Sequence, residues 1–238
     1  MIHARVIARP ADLTPEDLTG RTVVVLDVLR ATTTMTTALA AGATEIRVFD
    51  NIDAARSAAA EFTGPKILCG EVKAVRPPGF DLGNSPDEFR RELVAGKTMF
   101  MSTTNGTRAI VAAKNAAVLL VGAVVNAHSV AARVLAAAND LTLLCSGTEG
   151  KISLEDTLGA GAILHAGQFQ IDGDFAQLAI SAFQACQHDL PAAFRFGAGA
   201  HNLRRANLEK DIPFCAALNS LSAVGIVRDV SGNLIVSL

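Results

Sequence analysis

Tryptophan and tyrosine are absent from the 238 residues of this chain, and aromatic residues make up only 5% of it. Half of the residues are nonetheless hydrophobic, mostly Ala, Val, Leu and Ile. Small apolar side chains of this kind suit close packing of helices against a buried sheet. A chain of this length forms one large domain or two small ones, and it can bury a core without the help of disulfides.

Long hydrophobic segments are also lacking. The longest apolar run, Ala116–Val125, has about half of the residues that a membrane-spanning helix requires, and we interpret it as a buried strand. Residues Met1–Val6 alternate in polarity as an edge strand does, and they do not resemble a secretory signal. We therefore expect a cytoplasmic protein that has no membrane contact.

Paired cysteines and an excess of basic residues are missing as well. The four cysteines, Cys69, Cys145, Cys186 and Cys215, include no CxxC pair, which indicates free thiols in a reducing compartment. The net charge of −2 gives no basic footprint, so nucleic acid is not an expected partner. The chain also has no zinc-ligand spacing, no GxxxxGK[ST] phosphate loop, no GxGxxG fingerprint and no GxSxG nucleophile elbow.

Six short hydrophobic segments predict buried strands, and Ala-rich helical patterns lie between them. The predicted strands are Thr22–Asp27, Glu45–Phe49, Lys66–Cys69, Thr98–Ser102, Val118–Val121 and Leu141–Cys145. Alternation of strands and helices indicates an α/β fold with a mostly parallel sheet that is covered on both faces. No low-complexity linker divides the chain, so we expect a single domain that spans residues 1–238.

The chain also contains a faint internal repeat. Residues Thr34–Ser57 align without a gap on residues Thr107–Val130, so that a threonine heads the first helix of each copy. Each copy has the pattern of strand, polar loop, helix, strand and helix. This pattern predicts two pseudo-equivalent halves, which arise either from a duplication or from two units that obey the same packing rules.

Polar side chains cluster after the predicted strands, where open α/β sheets bind ligands. The first cluster contains Asp27, Arg30, Thr32 and Thr33. A helix start with threonine donors favours an anion, arginine can clamp phosphate with two hydrogen bonds, and a strand-end acid can hold Mg²⁺. The alternative is structural: a threonine caps the helix, and Arg30 pairs with Asp27.

A similar cluster occupies the corresponding place in the second half. It consists of Thr104, Asn105, Gly106 and Thr107. The glycine lets the backbone approach a ligand closely, and the side chains offer hydrogen-bond donors. The alternative is an ordinary Asn-Gly turn with a threonine cap. Two such loops at matching places favour a shared anion-binding pocket.

Two further polar segments carry acids. Glu71 ends a predicted strand, and the Gly- and Pro-rich loop after it carries Asp81 and Asn84, which offer oxygen ligands or only a turn and a helix cap. Glu149 lies in a glycine-flanked turn, and capping of the next helix does not explain it. Acids with few histidines favour a hard cation. We predict Mg²⁺ near Asp27, Glu71 and Asp81, with Glu149 as a reserve ligand.

Four runs in this chain resemble the signature stretches of the 2-phosphosulfolactate phosphatases. They are Leu26–Thr34, Gly79–Pro86, Thr103–Thr107, and Ser146–Gly150 together with Ser153–Asp156. The resemblance implies a three-layer α/β/α fold and Mg²⁺-dependent hydrolysis of 2-phosphosulfolactate to sulfolactate and phosphate, a step towards coenzyme M. The segment Asp211–Ala216 also resembles the family, whereas the family usually has an acid at the position of Asn219.

On this basis we assign catalytic roles to Asp27, Arg30 and Glu149. The predicted contacts to a small phosphorylated anionic substrate are Thr32, Thr33, Asn84, Thr104, Asn105, Gly106 and Thr107. Attack by a metal-activated water is favoured over an aspartyl-phosphate at Asp27, because Leu29 stands where the common aspartate-nucleophile phosphatases have a second acid.

Three other hypotheses remain open at the level of sequence. The chain could be a non-catalytic binder of a small anionic metabolite, a phosphatase of a different phosphorylated hydroxy acid, or a lyase or isomerase that acts on such an acid. The sequence also leaves open whether the chain forms a homo-oligomer.

Overall fold

Ten strands form one sheet in the computed structural model, which describes residues 1–238. The strands are β1 His3–Ile7, β2 Thr22–Leu26, β3 Glu45–Phe49, β4 Lys66–Gly70, β5 Thr98–Ser102, β6 Val118–Gly122, β7 Leu141–Cys145, β8 Gln170–Ile171, β9 Gly225–Val230 and β10 Asn233–Ser237. Their order across the sheet is β4-β5-β3-β10-β9-β6-β2-β7-β1-β8. Six of the nine neighbouring pairs are parallel, as the sequence predicted.

Ten α-helices surround this sheet, together with four short 3₁₀ turns. The helices are α1 Ala31–Ala40, α2 Ile52–Glu61, α3 Arg91–Val94, α4 Gly106–Ala112, α5 Ala127–Ala137, α6 Leu154–Gly167, α7 Asp174–Cys186, α8 Leu190–Phe194, α9 Ala198–Arg205 and α10 Asp211–Cys215. The 3₁₀ turns are Pro10–Asp12, Pro15–Asp17, Pro86–Glu88 and Val124–Asn126. None of the helices is long and apolar enough to span a lipid bilayer.

The central strand β2 shows why the fold has three layers. All five of its residues are buried, because both faces of the strand are covered. Val24 and Leu26 belong to a core that contains side chains of α5, α6 and α7, whereas Val23 and Val25 belong to a second core with α1 and α4. Successive side chains of a strand point to opposite faces. The three-layer α/β/α arrangement is therefore confirmed.

The strand order is palindromic around the C-terminal hairpin β9–β10. On one side of the hairpin β3 pairs with β5 and then β4, and on the other side β6 pairs with β2 and then β7. The three pairings that join the two sides are antiparallel, so the parallel groups run in opposite directions. A pseudo-two-fold axis through the hairpin therefore exchanges β2, α1 and β3 with β5, α4 and β6.

The internal repeat corresponds to this pseudo-symmetry, with one adjustment at the helix starts. β3 and β6 occupy the equivalent positions that the gapless alignment predicts. Thr32, however, is the structural counterpart of Thr107. Each hydroxyl accepts a hydrogen bond from the backbone N–H of the residue that follows the preceding strand, Asp27 or Thr103, and donates to the carbonyl of that same residue. The alignment of Thr34 with Thr107 is thus two residues out of register at this point.

The six predicted strands are confirmed to within one residue at each end. The N-terminal strand β1 is not an edge strand, because the two-residue strand β8 pairs with its outer side. The hairpin β9–β10 and the strand β8 were not predicted. All four cysteines are free thiols, and Cys69, Cys145 and Cys215 are buried.

Gly225 lies at the point where the hairpin packs tightly between the two halves, so a substitution there measures how close the packing is. A Cβ atom at this position would lie 2.6 Å from side-chain atoms of both Val121 and Val236. We therefore expect Gly225→Ala to lower the free energy of unfolding by about 1–3 kcal/mol, as overpacking of a filled core does. Urea unfolding monitored by circular dichroism measures this change.

The matched control for this prediction is Val230→Ala at the far end of the same strand. Val230 is half exposed, and its truncation should change the free energy of unfolding by less than about 0.5 kcal/mol. Equal stability of the two variants would contradict the close packing described for Gly225.

Candidate active site

One cavity of about 460 Å³ opens where the ends of β2, β4 and β5 meet α9. Its charged and amide lining residues are the acids Asp27, Glu71 and Glu149, the bases Arg30, Lys73 and Arg205, and the amides Asn84, Asn105 and Asn202. Six of these nine residues were singled out from the sequence alone. The clusters after β2, β4 and β5, and the turn after β7, are therefore brought together in space.

Asp27 is the acid of the cavity whose pKa is raised. Its Oδ1 atom accepts a hydrogen bond of 3.2 Å from the backbone N–H of Ala31, and its Oδ2 atom accepts none from the protein. Burial, together with repulsion by the nearby Glu71 carboxylate, raises the pKa of Asp27 to about 7. The carboxylate itself occupies the start of α1, and the N–H of Thr32 bonds to the carbonyl of Asp27. At the start of α1 the N–H of Ala31 is therefore taken by a carboxylate of the chain itself, and the N–H of Thr32 by a backbone carbonyl.

Gly106 accounts for the contact between the two pseudo-equivalent helix starts. A Cβ atom at this position would lie 2.6 Å from Cβ of Ala31 and 2.6 Å from Oδ2 of Asp27. Only glycine leaves room for α4 to approach α1 and Asp27 so closely. Gly106, a predicted substrate contact, does not itself line the cavity, and its observed role is to let α4 pack against Ala31 and Asp27.

Glu71 connects the ends of β4 and β5. Its Oε1 atom accepts a hydrogen bond of 2.6 Å from the N–H of Thr104, and its Oε2 atom accepts from the Thr104 hydroxyl at 3.0 Å and from the N–H of Ala74 at 2.5 Å. Three protein donors therefore orient this buried carboxylate. It lines the cavity beside Asp27, as the sequence predicted.

Arg30 lines the cavity, and a buried ion pair with a distant part of the chain holds its side chain in place. Its Nη1 atom lies 2.7 Å from Oδ2 of Asp211, and both side chains are almost fully buried. Oδ1 of Asp211 accepts a hydrogen bond of 2.6 Å from Ser85, and Nη2 of Arg30 donates to the carbonyl of Ala74. The structural pairing of Arg30 with Asp27 that the sequence allowed is wrong, because Asp211 is the partner.

The threonines of α1 and α4 have structural contacts in place of open donors. The hydroxyls of Thr32 and Thr33 donate to the carbonyls of Asp27 and Val28, and both residues are fully buried outside the cavity lining. The hydroxyl of Thr107 is likewise used at the end of β5. The three hydroxyls therefore have a structural role, although they bond backbone groups of the preceding loops and do not cap the helices as the alternative supposed. A threonine at a helix start satisfies backbone groups that burial would otherwise leave unpaired.

The structure does not bring Asp81 to the cavity. Its side chain is exposed, and Oδ2 accepts a hydrogen bond of 2.8 Å from the N–H of Leu68 in β4. No group of three or more histidine, cysteine, aspartate or glutamate side chains is placed so that it could hold a metal ion. Of the three predicted metal ligands, only Asp27 and Glu71 line the same cavity.

The amide side chains of the cavity include one oxygen without a partner. Oδ1 of Asn84 is buried and accepts no hydrogen bond, although the residue lines the cavity. Asn105 also lines the cavity and makes no side-chain hydrogen bond to the protein. A buried polar atom without a partner is unfavourable, so a ligand at Asn84 would relieve this cost.

Glu149 lies at the outer part of the cavity. It has a φ of +52° and stands between Gly147 and Gly150, which also have positive φ values. Its Oε1 atom accepts a hydrogen bond of 3.4 Å from Asn202 of α9. The turn and α9 therefore form this side of the opening together.

Two buried acids of α6 support this region from behind. The oxygens of Asp156 accept hydrogen bonds from the N–H groups of Val28 at 2.8 Å and Gly147 at 3.0 Å, which ties the loop after β2 to the loop after β7. The carboxylate of Glu155 lies where side chains at Gly197 and Gly199 would collide with it. Burial raises the pKa of both acids.

Lys73 and Arg205 are cavity residues that the sequence analysis missed. Both are exposed and lie in segments without a motif, so no local pattern distinguished them from ordinary surface charges. Asn202 belongs to the same group. Only the fold brings α9 and the turn after β4 to the same cavity, so that these residues line it together.

Comparison with known proteins identifies the family of this chain. The family model for 2-phosphosulpholactate phosphatase matches residues 7–230. A protein named probable 2-phosphosulfolactate phosphatase from Synechococcus sp. (strain CC9605) is 40% identical to this chain, over 90% of this chain and 92% of its own. Proteins of the same name from Gloeobacter violaceus and Carboxydothermus hydrogenoformans are 40% and 38% identical, over 90% and 91% of this chain and 90% of each relative. This chain therefore belongs to the 2-phosphosulfolactate phosphatase family.

Proposed function

We propose that this protein is a phosphoric monoester hydrolase that converts 2-phosphosulfolactate to sulfolactate and phosphate with the help of Mg²⁺. The observation that carries the proposal is the inner part of the cavity, where Asp27 has a free oxygen atom and lies with Arg30 and Glu71. The names of the relatives supply the substrate. A cytoplasmic location and a role in coenzyme M formation belong to the same proposal.

The residues of the inner cavity fit a hard cation. Asp27 and Glu71 are two buried carboxylates whose mutual repulsion a cation would remove. Asn84 adds a neutral oxygen that has no partner in the protein. Mg²⁺ prefers oxygen ligands of this kind, and it usually keeps several waters. We therefore assign the metal to Asp27 and Glu71, with Asn84 in place of Asp81.

Arg30 is oriented to bind the phosphoryl group. A guanidinium has five N–H donors, and the contacts with Asp211 and Ala74 each engage a different terminal nitrogen. The remaining donors are available to phosphate oxygens, which arginine binds in a two-pronged manner. Phosphoryl transfer depends mainly on positioning and charge neutralisation, and this buried cation serves both.

Asp27 and Glu149 are assigned to proton transfer. When bound, Mg²⁺ supplies charge neutralisation and favours ionisation of water. Oδ2 of Asp27, which accepts no hydrogen bond from the protein, would accept the proton from the attacking water. An aspartyl-phosphate at the same atom remains the alternative. Glu71 already accepts from three protein donors, so Glu149 is the acid left to protonate the departing oxygen of the hydroxy acid.

Asp27→Asn tests the assignment of Asp27. We expect phosphate release from 2-phosphosulfolactate in the presence of Mg²⁺ to fall by about 10²- to 10⁴-fold, because the variant loses both the negative charge and the proton acceptor. The fold should persist, since the amide oxygen can still accept from the N–H of Ala31. A colorimetric phosphate assay and a thermal melt measure the two quantities.

Asp81→Asn is the matched control for that experiment. It removes the same charge from a predicted ligand that lies outside the cavity, and it should change turnover by less than about threefold. Full activity of Asp27→Asn, or a large loss in Asp81→Asn, would refute the assignment of the metal and base to Asp27.

Arg30→Lys tests the phosphate clamp. Lysine keeps the charge but has no planar fork, so we expect kcat/KM to fall by about 10- to 100-fold. Arg108→Lys makes the same change at an exposed arginine outside the cavity, and its kcat/KM should stay near that of the wild type. Unchanged kinetics in Arg30→Lys with a lower melting temperature would identify a purely structural ion pair.

The raised pKa of Asp27 predicts how stability depends on pH without metal. An ordinary aspartate has a pKa near 3.9, whereas Asp27 titrates at about 7 in the folded chain, so between these values the folded state binds more protons than the unfolded state. The contribution of Asp27 to stability is therefore present below about pH 4 and is lost as the pH rises to about 7. The expected loss is at most about 1.4 kcal/mol per pH unit.

Urea unfolding in the presence of a chelator at pH 5, 6, 7 and 8 measures this effect. Asp27→Asn should have a shallower fall in stability over the same range, because its amide does not titrate. Glu155 and Asp156 contribute in the same direction in both proteins, since their pKa values are also raised. Parallel curves for the wild type and Asp27→Asn would contradict the prediction.

A further inference from the structure

Two cations of the cavity have no carboxylate partner. Lys73 and Arg205 both line it, and neither forms an ion pair with an acid of the chain. Arg30 differs from them, because it is buried and paired with Asp211. The cavity is thus divided into an inner part with two buried carboxylates and one paired cation, and an outer part with two unpaired cations and the Glu149 carboxylate, which accepts from Asn202.

Lys73 is held on a short and well-fixed turn. Val72 and Val75 exchange two backbone hydrogen bonds of 2.9 and 3.1 Å across this turn. The N–H of Lys73 donates to the hydroxyl of Thr104, and the N–H of Ala74 donates to Glu71. The turn therefore has a fixed position relative to the ends of β4 and β5, although the lysine side chain itself is exposed.

The backbone of Arg205 is also held in place, because it belongs to helix α9. It is the last residue of α9, and the start of this helix packs against the buried Glu155 carboxylate through Gly197 and Gly199. The neighbouring Arg204 is used differently, since it donates to the carbonyl of Arg195 and pairs with Glu209. Arg205 is left free to meet a ligand.

We propose that Lys73 and Arg205 bind a second acidic group of the substrate besides the phosphate, its sulfonate or its carboxylate, and so select phosphomonoesters that carry another acid. This inference rests on the proposed hydrolase function. The phosphate then lies against Arg30 in the inner part, and the second acid neutralises cations that have no partner in the free protein. Two cations bind such a group more strongly than they bind a neutral hydroxyl.

An outer groove next to the cavity supplies matched controls. It shares Thr148, Glu149, Asn202 and Arg205 with the cavity, and it also contains Lys151 and Arg195, which do not line the cavity. Both of these are exposed and unpaired, like Lys73 and Arg205. General attraction of anions would depend on all four cations, whereas a binding site depends on the two inside the cavity.

The test compares 2-phosphosulfolactate with glycerol 2-phosphate, which has a phosphate on the same type of carbon and no second acid. We expect Lys73→Gln and Arg205→Gln each to lower the ratio of the two kcat/KM values, sulfolactate ester over glycerol ester, by about tenfold or more. Lys151→Gln and Arg195→Gln should change this ratio by less than about twofold. Equal losses on both substrates, or an unchanged ratio in the cavity variants, would overturn the proposal.

A calorimetric titration separates this inference from the proposed function. Sulfolactate, which has no phosphate, should bind the wild type more tightly than it binds the Lys73→Gln and Arg205→Gln variants, and this measurement needs no turnover. If the wild type releases no phosphate from either ester, the hydrolase proposal fails, and the titration still decides whether these residues bind the acid. Equal affinity of all proteins for sulfolactate would refute the inference.

Discussion

The contact between the starts of α1 and α4 is the constraint on which the site depends. Gly106 allows α4 to reach Ala31 and the Asp27 carboxylate, and any side chain at this position would push them apart. The same contact buries Asp27, and burial beside Glu71 raises its pKa. Close packing of two helices thereby produces the chemical character of one acid. A looser junction would leave an ordinary, solvated aspartate.

The remaining charges of the cavity are positioned by partners that lie far away in the sequence. Asp211 orients Arg30 although 181 positions separate them, and Asp156 ties the loops after β2 and β7 together. Buried ion pairs of this kind contribute little net stability, because desolvation offsets the attraction. Their clearer effect here is geometric, since they fix which donors of Arg30 face the cavity.

The sequence was informative where local physical chemistry decides the outcome. The buried strands could be predicted because β2 and its parallel neighbours are hydrophobic on both faces. The meeting of the polar segments after β2, β4 and β5 does not follow from parallel pairing, because β2 runs opposite to β4 and β5, and it depends on how the two halves pack together. Thr32 and Thr33 were assigned to a ligand because hydroxyls at a helix start look the same whether they bind a ligand or backbone carbonyls. Asp81 was predicted to lie with the other acids because its loop follows β4, but its carboxylate bonds the backbone N–H of Leu68 in that strand. Lys73 and Arg205 could not be found, because their role depends on the packing of α9.

The palindromic sheet has a consequence for how the chain reaches its native state. β2 pairs with β6, and β3 pairs with β5, so each half of the repeat finds its parallel neighbour in the other half. The hairpin between them comes last, and Ile46 of β3 meets Val236 near the C-terminus. Most native pairings thus join distant segments, a topology of high contact order that folds slowly. Neither half has a complete sheet by itself, and the sheet can close only after residues 225–237 have been synthesised.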